Sequence, residues 1–427
     1  MNEKKRSRRD FIQNITIAVL TVSAVLLFVQ SQFYTLGSSS RFSRIFAGPT
    51  AQTGSVITSP QDDVSLCAPL HVAVTNAYGR YGNVAMTTAD EEFLSLRQLL
   101  AQALDSSHSL TISSSHAFLS ALNEASVCYD FLSPLPLSVL AELTRGSSGE
   151  DSISARYLVI AEEKGSVTLH IWDGAQHYYR SGTALSPEDL DEIISLYELG
   201  NAFFAFESTD PHAQSAAPCS LFLEETPELP ELSSDSPLSD TTLLLASLHF
   251  NPNTQNRYRD SDGTEVISES NNRTLRIHTD GTVQYQSEND PTLSIDAETE
   301  QPTLAEAASE VNTLLSSLLS ASSGDARIYL EHIEQNGDLT NLRFGYQVGG
   351  VPVRFSDGQY AALVTLSGTT VSSMTLQFRQ YTITENNSLL LPLRQALAIA
   401  AGTPGNGLSI GYVDAGTHTV SATWLTD

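Results

Sequence analysis

The order of apolar and polar positions divides this chain into a run with no polar face, a tether, and a long succession of helix-period and strand-period segments. The run is Phe11–Val29, FIQNITIAVLTVSAVLLFV, which carries no charge; its few polar groups, Asn14, Thr16, Thr21 and Ser23 among them, are small and scattered. A helix rises about 1.5 Å per residue, so the run reaches across roughly 30 Å of hydrocarbon. A buried core helix would show a polar face. A signal peptide would have a shorter apolar stretch ending in small residues, whereas Gln-Ser-Gln-Phe33-Tyr34 follows here, suited to an interfacial aromatic belt. The pattern predicts an uncleaved signal anchor over 11–31. Lys4, Lys5, Arg6, Arg8 and Arg9 then hold residues 1–10 in the cytoplasm and leave the bulk of the chain extracytoplasmic.

Residues 32–65, rich in Ser, Thr, Gly and Gln, predict a linker. Over 66–223 strand compositions (Leu70–Thr75, Val127–Phe131, Arg156–Glu162, Ser166–Trp172, His177–Ser181) mix with helical spacings. Thr88-Ala-Asp-Glu91 matches a capping box ahead of Phe93, Leu96, Leu99, Leu100 and Leu104. Further helices are expected near His116–Ala125 and Leu135–Leu143. Another is expected after Ser186-Pro187-Glu188-Asp189, where a cap, a first-position Pro and first-turn acids coincide. Glu224–Asp240 (EETPELPELSSDSPLSD) reads as an acidic, Pro/Ser-rich hinge. Beyond it, 241–301 predicts a middle β domain with turns at Asp262-Gly263 and Asp280-Gly281. Residues 302–427 predict a C-terminal α+β domain: a helix from Leu304, strands punctuated by Asn336-Gly337, Gly349-Gly350 and Asp357-Gly358, a second helix over Leu391–Ala401 and two closing strands. Gly402–Gly407 has the wrong spacing for a phosphate loop and reads as a helix stop with a turn. The expected fold class is α+β: one N-terminal transmembrane helix, then a modular ectodomain of antiparallel sheets with packed helices.

Charge sharpens the placement. The chain carries 22 Lys and Arg against 49 Asp and Glu, net −27; residues 1–10 alone hold +3, leaving −30 for the rest. Nucleic acid is excluded as a partner by that excess of carboxylates, and anionic headgroups would repel the ectodomain, so the bilayer is met through the helix alone. Three cysteines, Cys67, Cys128 and Cys219, are too few for a disulfide scaffold and permit at most one bridge.

A basic tail, one span and an exported α+β ectodomain resemble the YycH/YycI family, membrane-anchored regulators of a WalK-type sensor histidine kinase. The similar parts are Tyr258–Tyr285, with its Gly263-Thr264, Thr274-Leu275-Arg276-Ile277 and Asp280-Gly281-Thr282-Val283 cadence, and the C-terminal unit. In the latter, Phe344-Gly345-Tyr346, Gly350-Val351-Pro352-Val353, Ile410-Gly411-Tyr412 and Trp424 align. The acidic hinge departs from the family pattern. The resemblance implies a sensor histidine kinase as partner, with a homologous membrane regulator as a second one, and implies no catalytic residues.

The residues themselves point the same way. The ten histidines lack metal-ligand spacing, and no HExxH, GxSxG, SxxK or Walker pattern occurs, so neither enzyme activity nor a cofactor nor a metal is expected. Asp260, Asp262, Gly263 and Glu269 fall at positions 3, 5, 6 and 12 of an EF-hand loop. Position 1, however, is Tyr258, and flanking strands favour a hairpin turn. The one candidate contact site is in the span: Asn14, Ala18, Thr21 and Val25 share a helix face, small and amide side chains that permit close approach of a partner helix. The expected function is non-enzymatic regulation of a two-component sensor kinase in cell-envelope homeostasis. With about ten residues inside, a signal would cross through helices. The alternative is a cell-wall or envelope-binding surface protein; a wall hydrolase or its inhibitor is disfavoured by the missing motifs.

Overall fold

The computed structural model describes residues 66–427 except 147–149, 237–240, 254–255, 270–271, 289–291, 298, 403–406 and 427. The predicted span with Asn14, Ala18, Thr21 and Val25, the linker, and most of the Gly402–Gly407 turn lie outside the described residues. Among the described residues no helix is long and apolar enough to cross a membrane. The chain from Asp63 to Asp427 is one compact unit, and it is α+β with almost entirely antiparallel sheets, as the pattern predicts.

The first sheet has seven strands: β1 (Pro69–Asn76), β2 (Gly79–Thr87), β3 (His108–Ile112), β4 (Ser126–Pro136), β5 (Ser154–Glu163), β6 (Ser166–Trp172) and β7 (Tyr178–Gly182). Their order is β2-β1-β4-β5-β6-β7-β3. Side chains alternate between its faces. Tyr129 donates its hydroxyl to the Leu96 carbonyl of helix Leu94–Ser106 at 2.9 Å. The opposite face carries the stacked rings of Tyr157, Trp172 and Tyr178, capped by Phe118 of helix Ser115–Ala121. Helix Leu137–Thr144 follows β4, and helix Pro187–Ile194 starts with the expected capping box between Ser186 and Asp189. The Thr88–Glu91 capping box does not form. The Thr88 hydroxyl instead accepts the Ala68 N–H at 3.0 Å, Asp90 accepts the Thr87 N–H at 2.7 Å, and the helix begins at Leu94 after one 3-10 turn. A distant backbone donor, the Ala68 N–H, and a neighbouring one, the Thr87 N–H, occupy the groups the cap would need.

After the short pair β8 (Ala202–Phe204) and β9 (Leu221–Leu223), the chain enters the stretch read as a hinge. Within it Pro230–Asp235 is a strand, β10. With helix Thr241–Ser247 come β11 (Arg257–Arg259), β12 (Glu265–Glu269), β13 (Arg273–Ile277) and β14 (Thr282–Ser287), the antiparallel meander expected over 241–301. Helix Leu304–Leu319, capped by the Thr303 hydroxyl, precedes β15 (Arg327–Asn336), β16 (Leu339–Val348), β17 (Val351–Phe355), β18 (Ala362–Ser367), β19 (Thr370–Gln377) and β20 (Gln380–Asn387). Helix Leu393–Ala400, β21 (Leu408–Asp414), β22 (Thr419–Val420) and β23 (Ala422–Thr426) close the chain.

Two boundaries drawn from the sequence change. β14 pairs with β19, so the meander and the C-terminal strands form one sheet, β11-β12-β13-β14-β19-β18-β16-β17-β21-β23, with β15 on β16. A meander this small cannot stay half-exposed at its edge, and joining β19 satisfies the β14 backbone. Among the described residues the parallel pairing in that sheet is β17 with β21. The second change is the hinge: β10 lies between β20 and β22, and Leu232 has no exposed surface. One inward leucine and paired backbone are enough to order an acidic strand. Residues 230–235 are therefore expected to resist limited proteolysis of the native chain. Early cleavage inside them, with both sheets still folded, would contradict the pairing.

The two sheets share a core. Helix Leu304–Leu319 buries Leu304, Ala307, Ala308, Val311, Leu315, Leu318 and Leu319 along one stripe and packs on β15 and on helix Leu137–Thr144. At the β16–β17 hairpin Gly350 has φ +82°, and a Cβ there would meet the Ala85 backbone at 2.5 Å, so β2 approaches the turn too closely for any side chain.

Candidate functional site

The large sheet has two unlike faces. Inward, the cross-strand row Leu275, Tyr285, Met374, Val364, Leu342 and Ile333 is buried throughout. One residue along each strand the chemistry changes. The outward row is Arg276, Gln284, Thr375, Leu363, Arg343 and His332, and its neighbour is Gln286, Ser373, Thr365, Asn341 and Glu334. These side chains are exposed or half-buried. Strict alternation produces this separation: β18 reads Ala362-Leu363-Val364-Thr365-Leu366, with Leu363 on the outside and 39 % exposed.

Over β15, β16 and β18 that outer face forms an open groove of about 410 Å³, lined by His332, Glu334, Asn341, Arg343, Leu363 and Thr365. Its polar groups are oriented. The Thr365 hydroxyl donates to Asn341 Oδ1 at 3.0 Å, which turns the Asn341 amide nitrogen away as a donor. Arg343 Nη1 donates to the Tyr360 hydroxyl at 3.1 Å, and the guanidinium stands 5.2 Å from that ring. His332 Nε2 is 3.7 Å from Glu334. The groove thus offers a cation and an amide donor beside one carboxylate acceptor.

Arg343 differs from the enclosed arginines elsewhere. Buried Arg80 and Arg273 pair with Glu207 and Glu269, and half-buried Arg156 holds Asp130 at 2.8 Å. Arg379 grips Asp414 with two bonds of 2.9 and 2.7 Å. No carboxylate among the described residues pairs with Arg343, and its Nε is covered without a hydrogen bond.

The other polar clusters lie inside the fold and hold it together. Asp414, 2 % exposed, receives Arg379, the Tyr381 hydroxyl at 2.8 Å and the Gly416 N–H at 2.8 Å, joining β20 to β21. Burial by itself would raise its pKa, but these donors outweigh it and hold the carboxyl below the usual range. Asp130 is also lowered: burial is opposed by the charges of Arg156 and His71. Cys67, Cys128 and Cys219 are buried free thiols, and burial pushes Cys219 up to about 12, so it is a poor nucleophile at neutral pH. Asp260 and Asp262 form the β11–β12 hairpin turn, where Asp262 accepts the Thr264 N–H at 2.9 Å and Gly263 takes φ +89°. Glu269, position 12 of the loop pattern, bonds Arg273 and the Asn251 N–H. Among the described residues no group of three His, Cys, Asp or Glu side chains is arranged to hold a metal ion.

The groove was not foreseen from the sequence, where β16 and β18 stand only as strands. The available signal was Leu363, an apolar residue on the polar parity of its strand. The contact face Asn14, Ala18, Thr21 and Val25 lies outside the described residues. In comparison with known proteins, no protein-family model, no curated protein and no solved structure matches this chain. The likeness to the YycH/YycI family therefore rests on the residues quoted for it.

Proposed function

We propose that this chain is a non-enzymatic, single-pass membrane protein that regulates a two-component sensor histidine kinase from outside the cytoplasm, in the manner of the YycH/YycI family. The observation that carries the proposal is the charge-free run Phe11–Val29 behind five cations, followed by a large acidic folded unit. Such a run is long enough to span, and the flanking cations orient it. Asn14, Ala18, Thr21 and Val25 supply the helix face for a partner's span, and the ectodomain supplies a second contact. A membrane-anchored pair needs little affinity per contact, because confinement in one bilayer raises the effective concentration of each partner.

A second reading, an envelope-binding surface protein, is favoured by the open polar groove over β15, β16 and β18. Affinity capture of the full chain from native membranes separates the two. Co-purification of a sensor histidine kinase is expected. Retention on isolated cell wall with no kinase recovered would favour the second reading over the first.

A further inference from the structure

We infer that the groove over β15, β16 and β18 is a binding site for a short saccharide carrying a single carboxylate. The inference stands apart from the kinase proposal, since it uses only the outer face of the large sheet.

Charge complementarity leads. Carboxylates outnumber cationic side chains 49 to 22 in this chain, and the buried guanidiniums of Arg80, Arg273 and Arg379, like that of half-buried Arg156, each hold one. Arg343 is held in place by the Tyr360 hydroxyl and ring and has no carboxylate partner among the described residues. A planar fork with unused donors matches a carboxylate in a bidentate pair. One such cation takes one anionic group. A polyanion would also meet the repulsion of a chain whose net charge is −27.

The remaining lining selects among monoanions. Asn341 stands two residues along β16 on the same face, and with its Oδ1 taken by Thr365 its Nδ2 carries the N–H groups a ligand would meet. Glu334 stands opposite Asn341 in register and accepts. Leu363, opposite Arg343, offers an exposed aliphatic surface. A ring bearing hydroxyls that both accept and donate, an aliphatic C–H face and one carboxylate satisfies all four groups at once. A bare carboxylate uses only Arg343. A peptide strand is disfavoured, because β16 is paired on both sides under the groove, by β15 and by β18, and presents no open backbone edge. The volume of about 410 Å³ falls within the range of small-ligand sites, about 300–1,000 Å³.

The test is calorimetric titration of the full chain in detergent micelles. The probes are a panel of hexuronyl disaccharides, their neutral hexose counterparts, and acetate. Saturable one-to-one binding of at least one uronyl disaccharide is expected, at least tenfold tighter than its neutral counterpart and than acetate. Arg343→Gln should weaken it at least tenfold with an unchanged thermal midpoint. Asn341→Leu, a second variant independent of the cation, should weaken it severalfold. No saturable binding across the panel by folded wild-type protein would overturn the inference. So would equal binding by folded Arg343→Gln. Acetate binding as tightly as the disaccharide would overturn the saccharide part.

Discussion

Asp414→Ala is expected to destabilise the ectodomain by about 3–5 kcal/mol, because it strands the Arg379 guanidinium inside the fold. Arg379 is 9 % exposed, and both of its bonds to Asp414 would be lost, along with the acceptor for the Tyr381 hydroxyl. The loss is read as a fall in the urea midpoint of a chain beginning at residue 63, the start of the compact unit. The paired charges also link elements far apart in sequence: Ser236, just beyond β10, accepts from Arg379 Nη1 at 3.1 Å, so β10, β20 and β21 loosen together. Removing both charges, Arg379→Met with Asp414→Leu, should recover much of the loss, since well-packed apolar side chains replace a buried ion pair at little cost. A single variant as stable as wild type would show that the pair contributes nothing.

The same carboxylate sets an acid limit. Its folded pKa lies below that of an unfolded aspartate, about 3.9. The stabilisation it provides is therefore complete above about pH 4 and is lost as pH falls through the lowered folded value. Asp130, held by Arg156, behaves alike. Stability should decline below about pH 4, and less steeply in Asp414→Ala, where one of the buried proton-excluding carboxylates is gone.

What was legible in the sequence was whatever is decided locally. Ser186-Pro187-Glu188-Asp189 starts a helix because cap, proline and acid act on neighbouring N–H groups, and the capping box forms. The Gly349-Gly350 turn was legible for the same reason: both glycines take positive φ. Thr88 shows the limit. Its hydroxyl is spent on the Ala68 N–H, twenty residues away, a competitor invisible in the local pattern. β10 shows it again. Composition marks EETPELPELSSDSPLSD as unable to bury apolar surface, yet Leu232 and Ser234 point inward because β20 and β22 flank them. The groove was illegible for a third reason. Alternation tells which side chains share a face, but which face stays uncovered depends on where helix Leu304–Leu319 packs.

Ala18→Leu with Thr21→Leu separates a span that is itself a contact, as proposed above, from one that only tethers. Both substitutions keep the segment apolar, so insertion and abundance should hold. The larger side chains would push a partner helix away from the Asn14–Ala18–Thr21–Val25 face and remove one possible interhelical hydrogen bond. Such contacts contribute about 0.6–2 kcal/mol each, and about 1.4 kcal/mol is already tenfold in a binding equilibrium. The measurement is transcriptional output of the kinase's target promoter beside the membrane abundance of the double variant. Normal abundance with most of the regulation lost is the predicted result. Unchanged output at normal abundance, or full function with an unrelated span in place of 11–31, would contradict it.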